Sequence, residues 1–203
     1  MNDHSLISRA VYMRDATNTR TKIQQQALRL FVEKGVTETS VRDLAQAAGI
    51  AEGALYRHYA SKADLVCDLF LTNYAAFARR LVAVQAKHRD FRARLDGTVD
   101  EFCCFFDAEP TLFRFLMLVQ HHALPSAPTD ENNPVEVVQR MILDAIAGGE
   151  LPGQPAGLAT MMVLGLVLQP AIGLVYGRIA PPFAQYSNAI AGACLRTLTS
   201  PLC

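Results

Sequence analysis

The chain has 203 residues, of which 51% are hydrophobic and 19% are charged, a composition that excludes an intrinsically disordered chain. Its 19 Lys and Arg residues balance its 19 Asp and Glu residues. The first 62 residues nevertheless carry nine basic against six acidic side chains, a mild excess that suits contact with phosphates.

The cysteines do not have the spacing of a zinc ribbon or finger. We expect them to be small apolar core residues in a reducing cytosol. A thiol sensor built on two sequence neighbours is the alternative. The five residues are Cys67, Cys103, Cys104, Cys194 and Cys203.

One stretch, residues 158–176, carries no charge and approaches the length of a membrane span. It contains Gln169 and Pro170, and it is single and late in the chain. We therefore predict a helix buried on all sides in a soluble cytoplasmic protein with no membrane partner. The N-terminus has no long apolar run after a basic start, so we expect no signal peptide.

The N-terminal elements begin with a short tail. Residues 1–18 lack sustained periodicity and are predicted to form a flexible N-terminal arm. A first helix is predicted over residues 19–34, and Gly35 is a suitable residue to end it. Its apolar residues form one helical stripe: Ile23, Ala27, Leu30 and Phe31.

Two short helices around a tight glycine turn follow. Ser40 with Asp43 three residues later resembles a capping box, which predicts the start of the second helix. Gly49 ends that helix, and a third is predicted over residues 52–59. Ser61 then caps a long fourth helix. This arrangement is typical of a helix-turn-helix that binds DNA.

The rest of the chain favours helix throughout. The fourth helix is predicted to reach about Lys87, and prolines and glycine pairs separate five more, over residues 90–107, 111–123, 134–147, 156–177 and 182–198. The sequence therefore predicts an all-α protein of about nine helices. A DNA-binding domain of residues 19–65 shares the fourth helix with a C-terminal helical bundle of residues 66–203.

The third helix defines the surface that would meet DNA. Its inward side carries Leu55, and its outward side carries Glu52, Gly53, Ala54 and Arg57. The major groove accepts one α-helix, whose N-terminal residues face the base edges. Gly53 and Ala54 keep this surface thin, while Arg57 can contact phosphate or guanine. Glu52 can accept a hydrogen bond from cytosine or simply stabilise the helix N-terminus.

An uninterrupted pattern covers about a quarter of the chain. It reads Ala27-x-x-x-Phe31 with Gly35, then Thr39-Ser40-Val41-x-x-Leu44-Ala45-x-x-Ala48-Gly49-Ile50, then Gly53-x-Leu55-Tyr56-x-His58-Tyr59-x-Ser61-Lys62-x-x-Leu65. The pattern closely resembles the DNA-binding head of the TetR family of bacterial transcriptional repressors. One departure is Ala51, where the family usually has Ser or Thr, so a helix cap is absent.

The resemblance implies DNA contacts for particular residues. It places Arg42 where family members often reach a base or a phosphate. Five further side chains would hold the DNA phosphates, which position the protein without reading sequence: Thr39, Ser40, Tyr56, His58 and Lys62.

The resemblance also implies a C-terminal domain that forms dimers and holds a small-molecule inducer. The many phenylalanines between residues 70 and 121 are typical of plain core, and they are also compatible with an apolar cavity. The predicted pocket comprises Phe77, Phe102, Phe105, Phe106, Phe113, Met117, His121 and Gln169. By analogy with the family, the last two helices form the dimer interface through Met161, Leu164, Leu168, Ile172, Ala189 and Ala193.

These patterns lead to one expected function and two alternatives. We expect a homodimer that represses transcription from a near-palindromic operator and is released by an apolar or amphipathic ligand. The alternatives are a DNA-binding regulator without an inducer and a thiol-responsive regulator. The sequence contains no nucleophile–base constellation, phosphate-binding glycine loop or metal motif, so we expect no enzymatic activity, cofactor or metal.

Overall fold

The computed structural model describes residues 3–119 and 133–200, and the regular structure in these ranges is helical. A π-helix covers Phe115–Val119, and a 3₁₀-helix covers Phe183–Tyr186. The predicted all-α fold is confirmed. Its α-helices are α1 Asp3–Glu33, α2 Val41–Ala48, α3 Glu52–Leu55, α4 Lys62–Gln85, α5 Phe91–Ala108, α6 Pro110–Arg114, α7 Pro134–Ala147, α8 Ala156–Val175 and α9 Ser187–Thr199.

The chain divides into two compact units. The first combines Met1–Leu71 with Arg114–Leu124, and the second combines Thr72–Phe113 with Pro125–Cys203. Helix α4 begins in the first unit and ends in the second, so the chain passes from one to the other within a helix.

Helix α1 is longer than predicted. It begins at Asp3 instead of near Thr19, so residues 3–18 are helical and not an irregular arm. Residues 3–33 contain neither proline nor glycine, and nothing in the backbone therefore ends the helix earlier. The predicted apolar stripe of α1 is confirmed as buried: Ile23, Ala27, Leu30 and Phe31.

The boundaries of α2 follow the predicted capping chemistry. The hydroxyl of Ser40 accepts a hydrogen bond from the backbone N–H of Asp43 at 3.1 Å. The carboxylate of Asp43 accepts one from the backbone N–H of Ser40 at 3.0 Å. Gly49 ends the helix at a φ of 67°, a conformation that favours glycine.

Helix α3 is shorter than predicted. It ends at Leu55, and the next three residues form a turn with a hydrogen bond of 2.9 Å from His58 N–H to the Leu55 carbonyl. Ala51 provides no side-chain cap at the N-terminus of the helix. Tyr59 is nevertheless buried, as the sequence pattern indicated.

Side-chain caps organise the C-terminal unit. Asp107 of α5 accepts hydrogen bonds from the backbone N–H groups of Phe183 at 2.7 Å and Ala184 at 2.8 Å. Asn133 caps α7 through the N–H of Val135 at 2.9 Å. These bonds fix the starts of the 3₁₀-helix and of α7.

Helix α8 is not buried on all sides, so that prediction is wrong. The helix is long and apolar enough to cross a membrane, with a mean hydropathy of 2.0, yet only 33% of this window is buried within the chain. Apolar core helices of soluble proteins have the same composition, so this property alone does not assign a membrane span. Met161 is 51% exposed, and an apolar surface of this kind is typical of a protein interface.

Candidate functional site

Helices α2 and α3 and the turn after α3 present one polar surface, which we call the α2–α3 surface. Arg42 and Glu52 line a shallow depression on it. The buried residues Leu44, Ala48 and Leu55 hold the two helices together from the inner side. The exposed members of the surface are Arg42, Gln46, Glu52, Gly53, Tyr56 and Arg57.

The residues predicted to contact bases lie on this surface. Arg42, Glu52, Gly53 and Arg57 are exposed, and Ala54 is half-buried. The structure thus brings these side chains together, while their contacts with bases stay a prediction.

Gln46 is a member of the surface that the sequence reasoning missed. It is exposed and lines the same depression as Arg42 and Glu52. Residues four positions apart share one helix face, so its spacing from Arg42 was the available signal. Its amide can donate to and accept from a base edge.

Three of the residues predicted to hold phosphates remain accessible. Tyr56 is 53% exposed, so its ring does not pack into the core. His58 is half-buried and Ser40 is exposed. The hydroxyl of Ser40 already donates to the Asp43 carboxylate at 2.8 Å, which limits what it offers to DNA.

The phosphate contact of Thr39 stays a prediction, and its side chain already has a partner within the chain. Its side chain is 0% exposed, and its hydroxyl donates to the carbonyl of Gly35 at 2.7 Å. The hydroxyl is therefore used inside the protein, where the end of α1 leaves carbonyl groups without helical partners.

The phosphate contact of Lys62 also stays a prediction, and its ammonium already has partners within the chain. Its ammonium donates to the carbonyls of Val36 at 2.8 Å, Thr37 at 3.2 Å and Thr39 at 2.8 Å. An ammonium has three N–H donors, so no donor is left for a phosphate while these bonds persist.

A network of charged and polar side chains around Asp68 holds Tyr59, the residue that follows the α3 turn. Asp68 of α4 accepts hydrogen bonds from the Tyr59 hydroxyl at 2.9 Å and from the Gln24 amide at 2.8 Å. Arg20 forms a 3.0 Å ion pair with Asp68, and its guanidinium lies 5.1 Å from the centre of the Tyr59 ring. The network connects α1, α4 and the residue that follows the α3 turn.

The network sets the ionisation of Asp68 and Tyr59. Partial burial raises the pKa of Asp68, but hydrogen bonds from Arg20, Tyr59 and Gln24 outweigh it and leave the pKa below its ordinary value. Burial, and then the hydrogen bond to Asp68, raise the pKa of Tyr59. Asp68 therefore stays ionised and Tyr59 stays protonated at neutral pH.

The phenylalanines of the predicted ligand pocket contact each other. Phe77 lies 4.8 Å from Phe102 and 4.6 Å from Phe105, between ring centres, and Phe106 lies 5.2 Å from Phe113. All five rings are buried. In this structure they fill the core of the second unit. Of the two interpretations of the sequence, plain core or apolar cavity, the structure therefore favours plain core.

The other members of the predicted pocket do not join this ring cluster. Gln169 is exposed on α8, and Met117 is half-buried in the π-helix of the first unit. His121 lies outside the described residues. The predicted pocket is therefore not assembled as one site in the described part of the chain.

A different cavity, of about 500 Å³, lies between α4 and α7 in the second unit. Its apolar wall includes the buried residues Val137 and Met141. Glu136, Arg140 and Asp144 also line it, and they repeat every four residues along α7. This combination suits an amphipathic molecule, and the sequence reasoning missed it because α4 and α7 are distant in the chain.

The cysteine pair is poorly suited to thiol chemistry. Cys103 is buried, and burial raises the pKa of its thiol to about 12. Cys104 is exposed, and partial burial followed by the nearby Asp100 carboxylate raises the pKa of its thiol. Because the thiolate is the reactive form, these shifts disfavour the thiol-sensor alternative.

The residues predicted to form the dimer interface vary in exposure. Met161 and Ala189 are exposed, whereas Leu164 is buried. Leu168, Ile172 and Ala193 are half-buried. Among the described residues, no cluster of three or more His, Cys, Asp or Glu could hold a metal ion.

Comparison with known proteins connects the N-terminal helices to a family. The model described as "Bacterial regulatory proteins, tetR family" matches residues 23–69. The regulator AcrR of Shigella flexneri is 37% identical over 73 residues, which are 36% of this chain and 34% of AcrR. The repressor KstR2 of Rhodococcus jostii is 40% identical over 83 residues, 39% of either chain. The match therefore spans little more than a third of these curated relatives.

Solved structures resemble nearly the whole chain. NalD, the secondary repressor of the MexAB-OprM multidrug efflux pump in Pseudomonas aeruginosa, is 25% identical with a TM-score of 0.72, covering 93% of this chain and 100% of NalD. FadR of Bacillus subtilis, solved with stearoyl-CoA, is 18% identical with a TM-score of 0.71, covering 90% and 99%. At 18% identity, the likeness to FadR shows a shared fold and nothing more.

Gly53 provides a test of close approach to DNA. A Cβ added there meets nothing within 4 Å, so the folded chain accepts a side chain at this position. We expect Gly53→Leu to keep or raise the melting temperature, because glycine is unfavourable in a helix. We expect the same change to weaken DNA binding by about tenfold or more, since the side chain would separate the helix from the groove.

Gly153→Leu is the matched control, because a Cβ at Gly153 also meets nothing within 4 Å. Calorimetry and fluorescence anisotropy with labelled DNA would measure both effects. Unchanged DNA affinity in the Gly53 variant would exclude close contact at this position.

Asp68 provides a test of the charged network. We expect Asp68→Asn to lower the free energy of unfolding by about 1–3 kcal/mol at pH 7, because hydrogen bonds to a charged group are lost. A depressed pKa in the folded state stabilises the fold above the ordinary pKa of aspartate, near 4, and this contribution disappears as the pH falls through the folded pKa. The variant should therefore lose less stability between pH 6 and pH 3 than the original chain.

Asp96→Asn is the control for Asp68→Asn, because Asp96 forms an exposed ion pair with Arg92 four residues away on α5. Urea unfolding across this pH range would compare the two. Parallel pH profiles for the original chain and Asp68→Asn would contradict the role of Asp68.

Proposed function

We propose that this chain, which belongs to the TetR family of bacterial regulatory proteins, is a homodimeric repressor that leaves its operator when a small molecule binds. Its likeness to this family supports DNA-binding transcriptional regulation as its activity. We further propose that the protein represses transcription as a dimer, that its operator is two-fold symmetric and that an effector releases it from the DNA. We also propose that it acts in the cytoplasm, where the DNA is.

The α2–α3 surface carries the proposal for DNA binding. Glu52 and Gly53 are exposed at the start of α3, and even a Cβ added at Gly53 would meet nothing within 4 Å. Arg42, Tyr56 and Arg57 surround them with donors for bases and phosphates. A surface with this shape and chemistry suits one major groove.

The exposed apolar face of α8 supports a dimer. Leu158 and Met161 are about half exposed, and small residues such as Gly165 and Ala189 allow another helix to come close. A two-fold dimer places two recognition helices roughly 34–36 Å apart, so the operator would be a near-palindrome. Covering this face with a second copy also removes apolar surface from water.

The cavity between α4 and α7 supports the binding of an effector. Its apolar wall and charged residues suit an amphipathic molecule, whereas a ligand inside the phenylalanine cluster would first have to separate rings that contact each other. FadR of Bacillus subtilis was solved with stearoyl-CoA, an amphipathic molecule, and NalD regulates a multidrug efflux pump. These likenesses favour an amphipathic effector here as well.

Helix α4 would transmit the effect of effector binding to the DNA-binding helices. The cavity touches Val82 and Gln85 near the end of α4, while the helix begins at Lys62 in the first unit. A ligand that binds the released state better than the DNA-bound state shifts the equilibrium, and one that binds both equally does nothing. A coupling of about 1–3 kcal/mol lowers DNA affinity by roughly 5–150-fold.

Binding to DNA from upstream of its own gene, measured at several salt concentrations, tests the function. We expect tight, sequence-selective binding that weakens steeply with salt, because phosphate contacts release counterions. Arg42→Ala should cost about 1–3 kcal/mol and relax selectivity at one base pair. Arg178→Ala, which removes an exposed arginine of the second unit, is the control and should leave binding unchanged. Equal binding by both variants and the original chain would contradict the assignment of the surface.

Val82→Trp tests the effector cavity. Val82 lines the cavity and is exposed, so a larger side chain fills the space without disturbing the core. With stearoyl-CoA and dodecyltrimethylammonium as amphipathic probes of opposite charge, we expect one of them to lower the DNA affinity of the original chain. The variant should keep its DNA affinity and lose this response by about tenfold or more.

Leu143→Trp is the control for the cavity, because Leu143 is an exposed residue of α7 that does not line it. The measurement is operator binding at increasing probe concentration. A full response in Val82→Trp would place the effector elsewhere in the chain.

A further inference from the structure

The cavity between α4 and α7 has an apolar wall and, beside it, a row of charges. Val137 and Met141 of α7 form the buried part of the wall, and Val82 of α4 adds an exposed apolar side chain. Residues four positions apart share one face of a helix and lie about 6 Å apart along its axis. The row on α7 therefore alternates negative, positive and negative charge: Glu136, Arg140 and Asp144.

The row lies on the side of α7 that faces α4. The buried hydroxyl of Tyr74 on α4 donates to the amide oxygen of Asn133 at 3.0 Å, directly before α7 begins. Burial, and then the Glu136 carboxylate, raise the pKa of Tyr74 to about 12. A carboxylate has this effect on a phenol only when it lies close to it, so Glu136 points toward α4. Arg140 lines the same cavity one turn later.

The three charges of the row do not pair with one another. A glutamate followed four residues later by a basic residue is the favourable order for an ion pair on a helix. On α5, Arg92 and Asp96 have the same spacing and form an ion pair of 2.8 Å. Among the described residues, Arg140 forms no ion pair with the carboxylate four positions before or after it. The guanidinium and the two carboxylates therefore remain available to a bound molecule.

We propose that this cavity binds a zwitterionic amphipathic molecule, with its hydrocarbon chain against Val137 and Met141, its anionic group on Arg140, and its ammonium group on Glu136 or Asp144. A guanidinium binds a carboxylate or a phosphate through two parallel hydrogen bonds. A purely anionic head group would meet the two carboxylates, and a purely cationic one would meet the guanidinium, so a head group with both charges suits the row best. This inference rests on the proposed function, because it names the chemical class of the effector.

Isothermal titration calorimetry of the full-length chain without DNA tests the inference. The probes share one dodecyl chain, are used below their micelle-forming concentrations and differ in head group. They are dodecylphosphocholine, which is zwitterionic, dodecyl phosphate, dodecyltrimethylammonium and the uncharged dodecyl maltoside. We expect dodecylphosphocholine to bind at least about tenfold more tightly than each of the others, because both of its charges find a partner.

Variants of the row separate the two charges. Arg140 is exposed, so Arg140→Gln leaves the core intact. It should weaken the binding of dodecylphosphocholine and dodecyl phosphate by about tenfold or more, without weakening that of dodecyltrimethylammonium. Glu136→Gln combined with Asp144→Asn should instead weaken the binding of the two probes that carry an ammonium group. Arg92→Gln is the matched control, because Arg92 does not line the cavity, and it should change no binding constant.

Three results overturn the inference: no binding of any probe, equal binding of dodecylphosphocholine and dodecyl maltoside, or equal effects of Arg140→Gln and Arg92→Gln. Operator binding in the presence of the same probes separates the inference from the proposed function. Release from the operator that does not depend on the head group refutes the inference alone. Head-group-dependent binding that leaves operator affinity unchanged supports the zwitterion site and refutes release by this class of effector.

Discussion

Helix α3, the proposed recognition helix, has only four residues and therefore no stability of its own, and this constraint governs the N-terminal unit. Helix formation is unfavourable until several turns exist, so α3 depends on its surroundings for its shape. Leu55 anchors it in the core, and Gly49 sets the angle at which the chain leaves α2. Tyr59, tied to Asp68 and Arg20, fixes the chain directly after the turn. The polar residues left on the outside are thus presented in one defined geometry, as the proposed reading of DNA requires.

Helix α4 is the element on which these attachments converge. Asp68 connects it to α1 and to the end of the α3 turn, and Lys62 connects it to the α1–α2 connection. Both residues lie in the first two turns of the helix, and both act through charge-assisted hydrogen bonds, which are stronger than neutral ones. A regulator whose effector acts on the far end of α4 would therefore change the presentation of α2 and α3 without any contact between effector and DNA.

Local chemistry was predictable from the sequence, and long-range pairing was not. The capping box of Ser40 and Asp43, the end of α2 at Gly49 and the apolar stripe of α1 follow from spacings of a few residues, and all were predicted correctly. The partners of Thr39 and Lys62 within the chain were not predicted, because the family pattern indicates DNA contacts and only the folded chain reveals the carbonyls around their donors. The phenylalanines were recognised as a cluster, but composition does not distinguish a filled core from a cavity. The cavity between α4 and α7 was missed because it is formed by segments that are distant in the chain.

We propose that a dimer presents two α2–α3 surfaces to one DNA duplex. Selecting bound sequences from random DNA and mapping the protected backbone with hydroxyl radicals tests it most directly, because the selection itself identifies the operator. We expect a near-palindromic sequence with two equally protected half-sites, whose centres are about 10 base pairs, or a multiple of that, apart. A selected sequence with a single protected half-site, or no selected sequence at all, would contradict it.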